Sequence, residues 1–330
     1  MAELSAADLD EVDRRLVCAL QIDGRAEPGR LAEVLGVSVR TVTRRLARLQ
    51  GSGVLRVVRM PGPRQPGDGA LLLRVRVLRG KVEAIAQALA ARPEVPFVDV
   101  MLGGQEVGAV VLTDDHTRGS LLQGQLAATQ AVVETTAHAA LHLFADAGQW
   151  QAGWLTADEA AALTPLPPGD EEPPTLDALD EALLAELAVD ARQSNAALAT
   201  ACGAPESTVR RRVARLAAGG LLRTHATVDP RLLGMTVDAN LWLEVPPGRL
   251  AEVGAELARH PQVHGVLATS GPANLMAMVF CPDPPGLYRF LTETLGPLGV
   301  TRVETTIVAR AVKRAGVILP ELGTRKPRRG

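Results

Sequence analysis

Apolar residues recur with the period of an α-helix in a basic stretch near the start of the chain. Val42, Leu46 and Leu49 fall at i, i+4 and i+7, which places them on one face of a helix. Ser38 is a suitable N-cap, and glycines end the helix before a short β-like run at residues 54–58. The opposite face carries four polar side chains: Arg40, Thr43, Arg44 and Arg48. Arg45 lies at the flank of this face.

Two further helices are predicted ahead of this one. Residues 9–22 follow the helical period, and Asp23-Gly24-Arg25 breaks the pattern. A short helix over residues 28–35 ends at Gly36, and the basic helix follows after a tight turn. A helix, a short helix, a glycine-containing turn, a basic helix and a strand together predict a winged helix-turn-helix.

The same pattern returns in the second half of the chain. Residues 205–223 repeat residues 38–56 without a gap, and about 20 of roughly 50 aligned positions around them are identical. The shared positions include the arginines as well as the apolar face. A helix that needs only a core face has no physical reason to keep its arginines in both copies, so we predict an internal duplication of a functional unit.

The period of the apolar pattern changes after a connection rich in proline and glycine at residues 61–69. Strands, helices and hairpins then follow in the order βαββαβ, at residues 70–78, 81–91, 95–102, 107–112, 118–129 and 132–143. The second half repeats this order at residues 237–245, 248–259, 263–269, 275–280, 285–295 and 301–312. Each set predicts a ferredoxin-like module.

The predicted fold class is therefore α+β, with two winged helix-turn-helix domains and two ferredoxin-like βαββαβ domains. A short helix starting at Thr156 and an acidic, proline-rich stretch at residues 165–174 join the two halves. The predicted boundaries, in chain order, are a helix-turn-helix domain at 1–63, a ferredoxin-like sensor or dimerisation domain at 64–145, a linker at 146–175, a second helix-turn-helix domain at 176–231, a second ferredoxin-like domain at 232–320 and a basic tail at 321–330.

Composition narrows the classes of function. The chain has 330 residues, a formal net charge of −2 and only 2% aromatic residues. Scarce aromatic side chains disfavour single-strand binding by base stacking, and so favour duplex DNA if nucleic acid is the partner. The three cysteines, Cys18, Cys202 and Cys281, lack metal-ligand spacing, so we expect neither a metal nor a cofactor. Without a signal peptide or a long apolar run, we expect a cytoplasmic protein that does not contact membranes.

Residues early in a recognition helix lie nearest the base edges of a major groove. The candidates for base readout are Arg40, Thr41, Thr43 and Arg44. We expect Arg45, Arg212, Arg56 and Arg223 to contact phosphate or to pair with acidic residues of the first helix. The full predicted DNA-binding set is Ser38, Arg40, Thr41, Thr43, Arg44, Arg45, Arg48, Arg56, Ser207, Thr208, Arg210, Arg211, Arg212, Arg215 and Arg223. The two copies differ at Arg40/Ser207 and Thr43/Arg210, so we expect unequal half-sites.

Taken as a set, these motifs resemble the Lrp/AsnC family of transcriptional regulators in a tandem form. The family's LDxxDxxLLxxLxxDGR stretch is matched at residues 9–25 and 176–192, and its SxxTVxRRxxRLxxxGxI stretch at 38–55 and 205–222. The resemblance implies sequence-specific binding of double-stranded DNA and ferredoxin-like modules that pair by their sheet edges. The two modules are able to pair within one chain, as a pseudo-dimer, or between chains of a homo-oligomer.

The resemblance also implies a small-molecule effector at the ferredoxin-like modules. The segment that looks like the family's TGxxD motif offers Thr269, Ser270, Gly271 and Asn274, for which a structural turn is the alternative. The family often has Asp where Asn274 stands, and we align Val107 there in the first module. With no carboxylate to meet an α-ammonium group in either module, an amino acid is a doubtful effector.

Two other functions compete with regulation. Siroheme decarboxylases resemble the same pattern of domains, but the segment before Asn274 lacks the histidine- and arginine-bearing motif for a tetrapyrrole. A sensor or assembly protein with helix-turn-helix units that do not bind DNA is the third interpretation, and the repeated arginine faces argue against it. We find no catalytic residues, since no nucleophile–base pair or phosphate-binding glycine loop is present.

Overall fold

The computed structural model describes residues 9–60, 69–113, 126, 128–148, 150–165 and 175–319. Most of the predicted connection at 61–69, most of the predicted helix at 118–129, nearly all of the acidic stretch at 165–174 and the basic tail lie outside these residues. The chain divides into two compact units. One unit holds both helix-turn-helix copies, in Leu9–Gly62 and Gly148–Asp229, and the other holds both ferredoxin-like modules.

The first copy follows the predicted order of elements. Its helix-turn-helix consists of α1 (Glu11–Ile22), α2 (Pro28–Leu35), α3 (Val39–Gly51) and strand β1 (Arg56–Arg59). Its ferredoxin-like module contains β2 (Gly69–Val77), α4 (Val82–Ala90), β3 (Phe97–Met101), β4 (Glu106–Thr113) and β5 (Val132–Ala145). The linker helix is α5 (Ala157–Leu163), and it begins with the predicted capping box of Thr156 and Glu159.

The second copy repeats these elements. Its helix-turn-helix consists of α6 (Ala178–Val189), α7 (Asn195–Cys202), α8 (Glu206–Ala218) and β6 (Thr224–Thr227). Its ferredoxin-like module contains β7 (Val237–Glu244), α9 (Leu250–Ala258), β8 (Val263–Thr269), β9 (Leu275–Cys281), α10 (Pro284–Arg289), a π-helical turn (Phe290–Leu295), β10 (Arg302–Arg314) and β11 (Val317–Ile318). The α+β duplication predicted from the sequence is confirmed.

The strand after each recognition helix does not form a wing hairpin within its own copy. Instead, β1 and β6 pair with each other in an antiparallel two-stranded sheet, with Arg56 opposite Thr227 and Arg59 opposite Thr224. A four-residue strand exposes unpaired backbone groups on its own, and the equivalent strand of the other copy satisfies them. The two helix-turn-helix copies therefore share a sheet.

The two ferredoxin-like modules also pair with each other, through a ladder that closes on itself. The strand order is β10-β3-β4-β2-β5-β8-β9-β7, and β7 pairs back onto β10. The long strands β5 and β10 cross between modules: β5 pairs with β2 and then β8, while β10 pairs with β7 and then β3. Of the two arrangements left open by the sequence, the fold contains the intramolecular pseudo-dimer.

The register corrects one sequence correspondence between the modules. The tetrapeptide Val-Glu-Thr-Thr occurs in both last strands, at residues 133–136 and 303–306. However, the bulges of β5 and β10 coincide only when Ala140 is matched with Val308 and Met101 with Thr269. With that match, Thr136, which pairs with Arg74, is equivalent to Glu304, which pairs with Trp242, and Val107 is equivalent to Leu275. The two tetrapeptides are thus two residues out of structural register. A shift of two residues leaves each side chain on the same face of the sheet, because side chains alternate with a period of two.

Apolar side chains fill both sides of the ladder. One face of each module packs under its helices, where Val75 and Val107 in the first module and Leu241 and Leu257 in the second are fully buried. Inside the ladder, a separate buried cluster is formed by Leu72, Trp242, Leu267 and Met276. Among the described residues, no helix has the length and apolar character needed to cross a membrane.

Candidate DNA-binding surface

The basic helix α3 has the two faces that its sequence predicts. Val42, Leu46 and Leu49 are buried against the rest of the domain. Arg40 and Arg44 are exposed on the other side, within the first two turns. Ser38 caps the helix by accepting a hydrogen bond from the Thr41 backbone N–H at 3.1 Å. Two guanidinium groups are thus exposed to solvent near a capped helix N-terminus. Guanidinium groups in such a position can contact the phosphates and the base edges of DNA.

Two arginines of α3 have another role. Arg45 donates to Asp10 and Asp13 at 2.8 Å, and Arg48 forms an ion pair with Asp13, whose side chain is 1% exposed. Burial opposes ionisation of Asp10, but the Asp13 backbone N–H and the Arg45 guanidinium hold the pKa of Asp10 below its ordinary value. The pairing expected for Arg45 is present. Arg48 compensates a buried carboxylate, but its side chain is still 44% exposed, so the groove contact predicted for it stays a prediction.

The second recognition helix, α8, repeats this division. Arg212 donates to Asp177 at 2.7 Å and to Asp180 at 3.0 Å, and Arg215 pairs with the fully buried Asp180. The Arg215 side chain is 39% exposed, so the groove contact predicted for it likewise stays a prediction. Arg211 is exposed, as Arg44 is in the first copy.

The remaining candidates have mixed surroundings. The Thr41 hydroxyl lies 2.9 Å from the Ser38 hydroxyl, and Thr43 donates to the Val39 carbonyl at 3.0 Å. In the second copy Arg210 is exposed and pairs with Glu206 at 2.9 Å. Three further members of the set, Arg56, Ser207 and Arg223, are exposed, and Thr208 is partly buried.

Reciprocal hydrogen bonds join the two helix-turn-helix copies, and they involve residues that no candidate set included. Arg25 donates to the carbonyl of Ala191, and Arg192 donates to the carbonyl of Gly24 at 2.7 Å. Burial lowers the pKa of both guanidinium groups. The signal was present in the sequence, because the Asp-Gly-Arg turn returns as Asp-Ala-Arg. Its role was missed because a single copy, taken alone, assigns the turn only to breaking the helix.

The linker helix α5 packs on the first and second helices of the first copy. Glu159 pairs with Arg15 at 2.6 Å, Arg30 donates to the Ala162 carbonyl at 2.8 Å, and Leu163 is buried. The Arg14 guanidinium lies 4.8 Å from the centre of the Trp154 ring. At the corresponding positions of α6 the chain has Glu181 and Ala182 instead of Arg14 and Arg15. The two copies therefore differ in what covers their first helices.

The predicted effector segment is held by hydrogen bonds within the second module and with strand β5 of the first module. Thr269 donates to the Ala273 carbonyl at 2.7 Å, and Ser270 accepts from the Ala139 backbone N–H at 2.8 Å. The Asn274 side chain exchanges two hydrogen bonds with the Val245 backbone, at 2.9 and 2.7 Å. Gly271 has a φ of +102°, and a Cβ there would lie 2.5 Å from Nδ1 of His138. These contacts are those of a structural turn.

The register also corrects the position assigned to Val107. Because Val107 and Leu275 occupy equivalent positions, the residue equivalent to Asn274 is Glu106. A carboxylate is therefore present at this place in the first module. Glu106 is paired with Arg74, which also reaches Glu304 of the second module at 2.7 Å. The inference that both modules lack a carboxylate there was wrong, because the first module had been aligned one residue out of register.

A second charged cluster is buried between the modules. Arg314 of β10 donates to Asp99 of β3 at 2.9 Å and to Asp238 of β7. His264 lies 3.5 Å from Asp238 and stacks on Phe280, with 3.7 Å between ring centroids. Burial raises the pKa of Asp99 to about 6, against the opposing effect of Arg314. Burial also lowers the pKa of His264, although Asp238 acts in the other direction.

The two domain types match models of one protein family. The AsnC-type helix-turn-helix domain matches residues 9–50 and again residues 176–217. The Lrp/AsnC ligand-binding domain matches residues 238–318. This chain belongs to the Lrp/AsnC family. The two helix-turn-helix matches and the paired modules show the tandem form of this family's architecture.

Relatives of this Lrp/AsnC chain have about the length of one copy. An uncharacterized HTH-type transcriptional regulator of Pyrococcus horikoshii is 32% identical over 143 residues, covering 43% of this chain and 90% of the relative. The HTH-type transcriptional regulator Ptr1 of Methanocaldococcus jannaschii is 31% identical over 140 residues, covering 42% of this chain and 95% of the relative. The siroheme decarboxylase NirDL is similar in structure over 92% of this chain and 93% of its own, with a TM-score of 0.57 and 16% identity, which shows a shared fold.

Proposed function

We propose that this chain is a transcriptional regulator that reads duplex DNA with two different recognition helices. The observation that carries the proposal is the division of arginines on α3 and α8. In each helix two arginines compensate buried carboxylates of the first helix, while further arginines are exposed: Arg40 and Arg44 on α3, and Arg210 and Arg211 on α8. Exposed arginines have no packing role, but they match the geometry of guanine edges and phosphates.

The exposed residues define the proposed contacts. In the first copy these are Arg40 and Arg44, and in the second they are Arg210 and Arg211. A bidentate arginine–guanine contact contributes about 1–3 kcal/mol of discrimination. Since Ser207 replaces Arg40 and Arg210 replaces Thr43, the two helices present different side chains. The operator should therefore consist of two unequal half-sites.

Pairing of the two copies supports reading by a single molecule. The β1–β6 sheet and the reciprocal bonds of Arg25 and Arg192 join the helix-turn-helix domains within one chain. Proteins of this type normally use a dimer to present two recognition helices to successive major grooves. Here the duplication supplies both helices, so one chain carries a complete pair.

The test is a salt series of fluorescence anisotropy on duplex DNA from the protein's own upstream region. Wild type is compared with Arg40→Ala/Arg44→Ala and with Arg210→Ala/Arg211→Ala. We expect each pair to weaken specific binding by about 10- to 100-fold and to reduce the salt slope by about 0.9 for each phosphate that is no longer neutralised. The matched control is Arg259→Ala/Arg289→Ala, which removes two exposed arginines from the ferredoxin-like unit.

The control should retain wild-type affinity for the specific duplex. If the control weakens binding as much as the α3 variant does, the binding is a general charge effect and the proposed surface is wrong. Equal affinity of wild type for its own and for scrambled duplex would contradict sequence-specific reading. Unfolding midpoints of all variants should match wild type, because the four exposed arginines do not compensate buried carboxylates.

We propose no catalytic activity. The NirDL similarity concerns the fold, and Leu72, Trp242 and Met276 belong to a buried apolar cluster inside the strand ladder. A related NirDL structure is a complex with an iron-uroporphyrin III analogue. Titrating this chain with iron-uroporphyrin while recording the absorbance of the tetrapyrrole tests the alternative. Saturable, stoichiometric binding would favour the enzyme over the regulator.

An effector site at Thr269, Ser270, Gly271 and Asn274 stays a prediction. The hydrogen bonds of these side chains favour a structural role, since a ligand would have to compete with the Val245 and Ala139 backbone. Differential scanning calorimetry with a panel of the common amino acids tests the segment. A rise in the unfolding temperature that is abolished in Asn274→Ala would identify an effector there.

A further inference from the structure

The two ferredoxin-like modules have diverged where they face each other. We infer that each module is specific for the other one. The first module of one chain therefore cannot close the strand ladder with the first module of another chain. The inference goes beyond the pairing itself, because two domains on one chain could pair only through their high effective concentration. Two clusters of charged side chains supply a preference that would remain without the tether.

The first cluster takes one carboxylate from the first module, and its guanidinium and a second carboxylate from the second module. Asp99 belongs to the first module, while Arg314, Asp238 and His264 belong to the second. The register gives the residues at the corresponding, symmetry-related place. Leu267 is equivalent to Asp99, because it pairs with Leu143 as Asp99 pairs with Ala311. The cluster therefore occurs only once in the pseudo-dimer.

Pairing of two first modules would leave this cluster without a cation. Lys313 pairs with Val98 and Ala145 pairs with Val266, so Asp146 occupies the position of Arg314 in the first module. Asp99 would then meet Asp146 in place of a guanidinium, and this would happen twice. Buried like charges are strongly unfavourable, and an unpaired buried carboxylate must lose its solvation without compensation.

The second cluster has the same one-sided composition. Arg74 of the first module lies 5.5 Å from the Trp242 ring centre and pairs with Glu304, both from the second module. By the register, Arg74 is equivalent to Trp242, and Thr136 is equivalent to Glu304. Two first modules would place Arg74 opposite Arg74, and each guanidinium would keep Glu106 of its own module but lose Glu304. Unlike residues at equivalent positions are a device that selects one pairing by penalising another.

The partner that fits the first module is therefore a surface with an arginine at the Arg314 position and an aromatic residue with a carboxylate at the Trp242 and Glu304 positions. The second module of this chain has that surface. A single-copy relative would fit only if it carried the same three residues. The duplication has thus become two complementary halves instead of two interchangeable ones.

Cysteine pairs placed by the register test the inference in the full chain. Met101 and Val308 are paired across β3 and β10, within disulfide distance for strand neighbours. Met101→Cys/Val308→Cys should give an intrachain disulfide under mild oxidant. Met101→Cys/Ala140→Cys should give no crosslink, because Ala140 faces Thr269 and is separated from β3 by β2 and β4. Its cysteines meet only when two first modules pair between chains.

The decisive step gives the first module the residues of the second. Adding Asp99→Leu and Arg74→Trp to the Met101→Cys/Ala140→Cys chain should raise the yield of interchain disulfide by about tenfold, measured by non-reducing electrophoresis and intact mass. Wild type, with its three native cysteines, is the background control. If this double change disturbs the far-UV circular dichroism, Asp99→Leu alone is used, since Leu267 already stands at the equivalent position.

Two results would overturn the inference. Interchain crosslinking of Met101→Cys/Ala140→Cys at the rate of the Met101→Cys/Val308→Cys control would show that first modules pair freely with each other. No increase in interchain crosslinking on replacing Asp99 and Arg74, in a folded chain, would show that the tether alone accounts for the pairing.

Discussion

The backbone N–H of Gly24 donates to the Thr224 hydroxyl at 3.2 Å, across the contact between the two helix-turn-helix copies. A Cβ at residue 24 would lie 2.6 Å from that oxygen and 2.6 Å from Cγ1 of Val57. Only a glycine allows the Asp-Gly-Arg turn to approach the β1–β6 sheet so closely. The close approach thus fixes the turn from which Arg25 reaches the other copy.

We expect Gly24→Ala to destabilise the helix-turn-helix unit by about 1–3 kcal/mol, because the added methyl group must push the sheet away. The matched control is Gly29→Ala, which meets nothing within 4 Å and lies within α2. Alanine is favoured over glycine in a helix by up to about 1 kcal/mol, so the control should be neutral or stabilising. Urea unfolding followed by tryptophan fluorescence compares the two. A Gly24→Ala midpoint equal to wild type would contradict the close approach.

Local patterns in the sequence were sufficient for the elements of the fold. The spacing of Val42, Leu46 and Leu49 predicted α3 and its buried face, and the repeated motif predicted the second copy. Both depend on periodicity within one element, which a sequence records directly. The order of strands in each module followed from the same kind of pattern.

Contacts between copies could not be predicted in this way. The pairing of β1 with β6 and the register that makes Glu106 equivalent to Asn274 depend on residues far apart in the chain. Arg48 shows the same limit within one domain. Its place on the helical wheel predicted a groove-facing side chain, and the side chain is 44% exposed, but its ion pair with a buried carboxylate on a neighbouring helix could not be predicted from that pattern.

The buried carboxylate of Asp13 should stabilise the first helix-turn-helix domain. This carboxylate is 1% exposed and compensates Arg45 and Arg48. We expect Asp13→Ala to cost about 1–3 kcal/mol of unfolding free energy, since it removes the charged hydrogen bonds to Arg45 and Arg48 and the acceptor for the Asp10 backbone N–H, while Arg45 keeps Asp10. Glu11→Ala, which removes an exposed carboxylate from the same first turn, should cost less than about 0.5 kcal/mol. Equal unfolding midpoints in urea for the two variants would show that the Asp13 pair contributes nothing.

Leu163 tests whether the linker helix is part of the first helix-turn-helix domain. The side chain is 4% exposed at the end of α5. We expect Leu163→Ala to lower the unfolding free energy by about 2–4 kcal/mol, because it leaves a cavity in a packed contact. Val189 is 76% exposed on α6, so Val189→Ala should have an effect below about 0.5 kcal/mol. Trp150 and Trp154 precede the helix and report its release by fluorescence. If Leu163→Ala unfolds like wild type, α5 does not stabilise the domain.

The buried cluster between the modules should make stability depend on pH through Asp99. Burial raises the pKa of this carboxyl group from 3.8 to about 6, so the folded state binds its proton more tightly than the unfolded state does. The folded state therefore holds more protons between these two values, and the contribution of Asp99 to stability falls as the pH rises through that window.

In Asp99→Asn the group cannot titrate. The unfolding free energy of wild type minus that of the variant should become less favourable from pH 4 to pH 6, and should level off above about pH 7. Asp238 and His264 remain in both proteins. Their pKa values are lowered, not raised as that of Asp99 is, so they favour the folded state as the pH rises, and this effect largely cancels in the difference between the two proteins. Urea midpoints at half-unit steps of pH provide the measurement.

Asp99→Leu should show the same pH dependence relative to wild type. If the ionisation of Asp99 is the cause, the identity of the residue that replaces it does not matter. A difference that is constant from pH 4 to pH 7 would mean that the carboxylate stays ionised beside Arg314, and that the ion pair is stronger than the burial that opposes it.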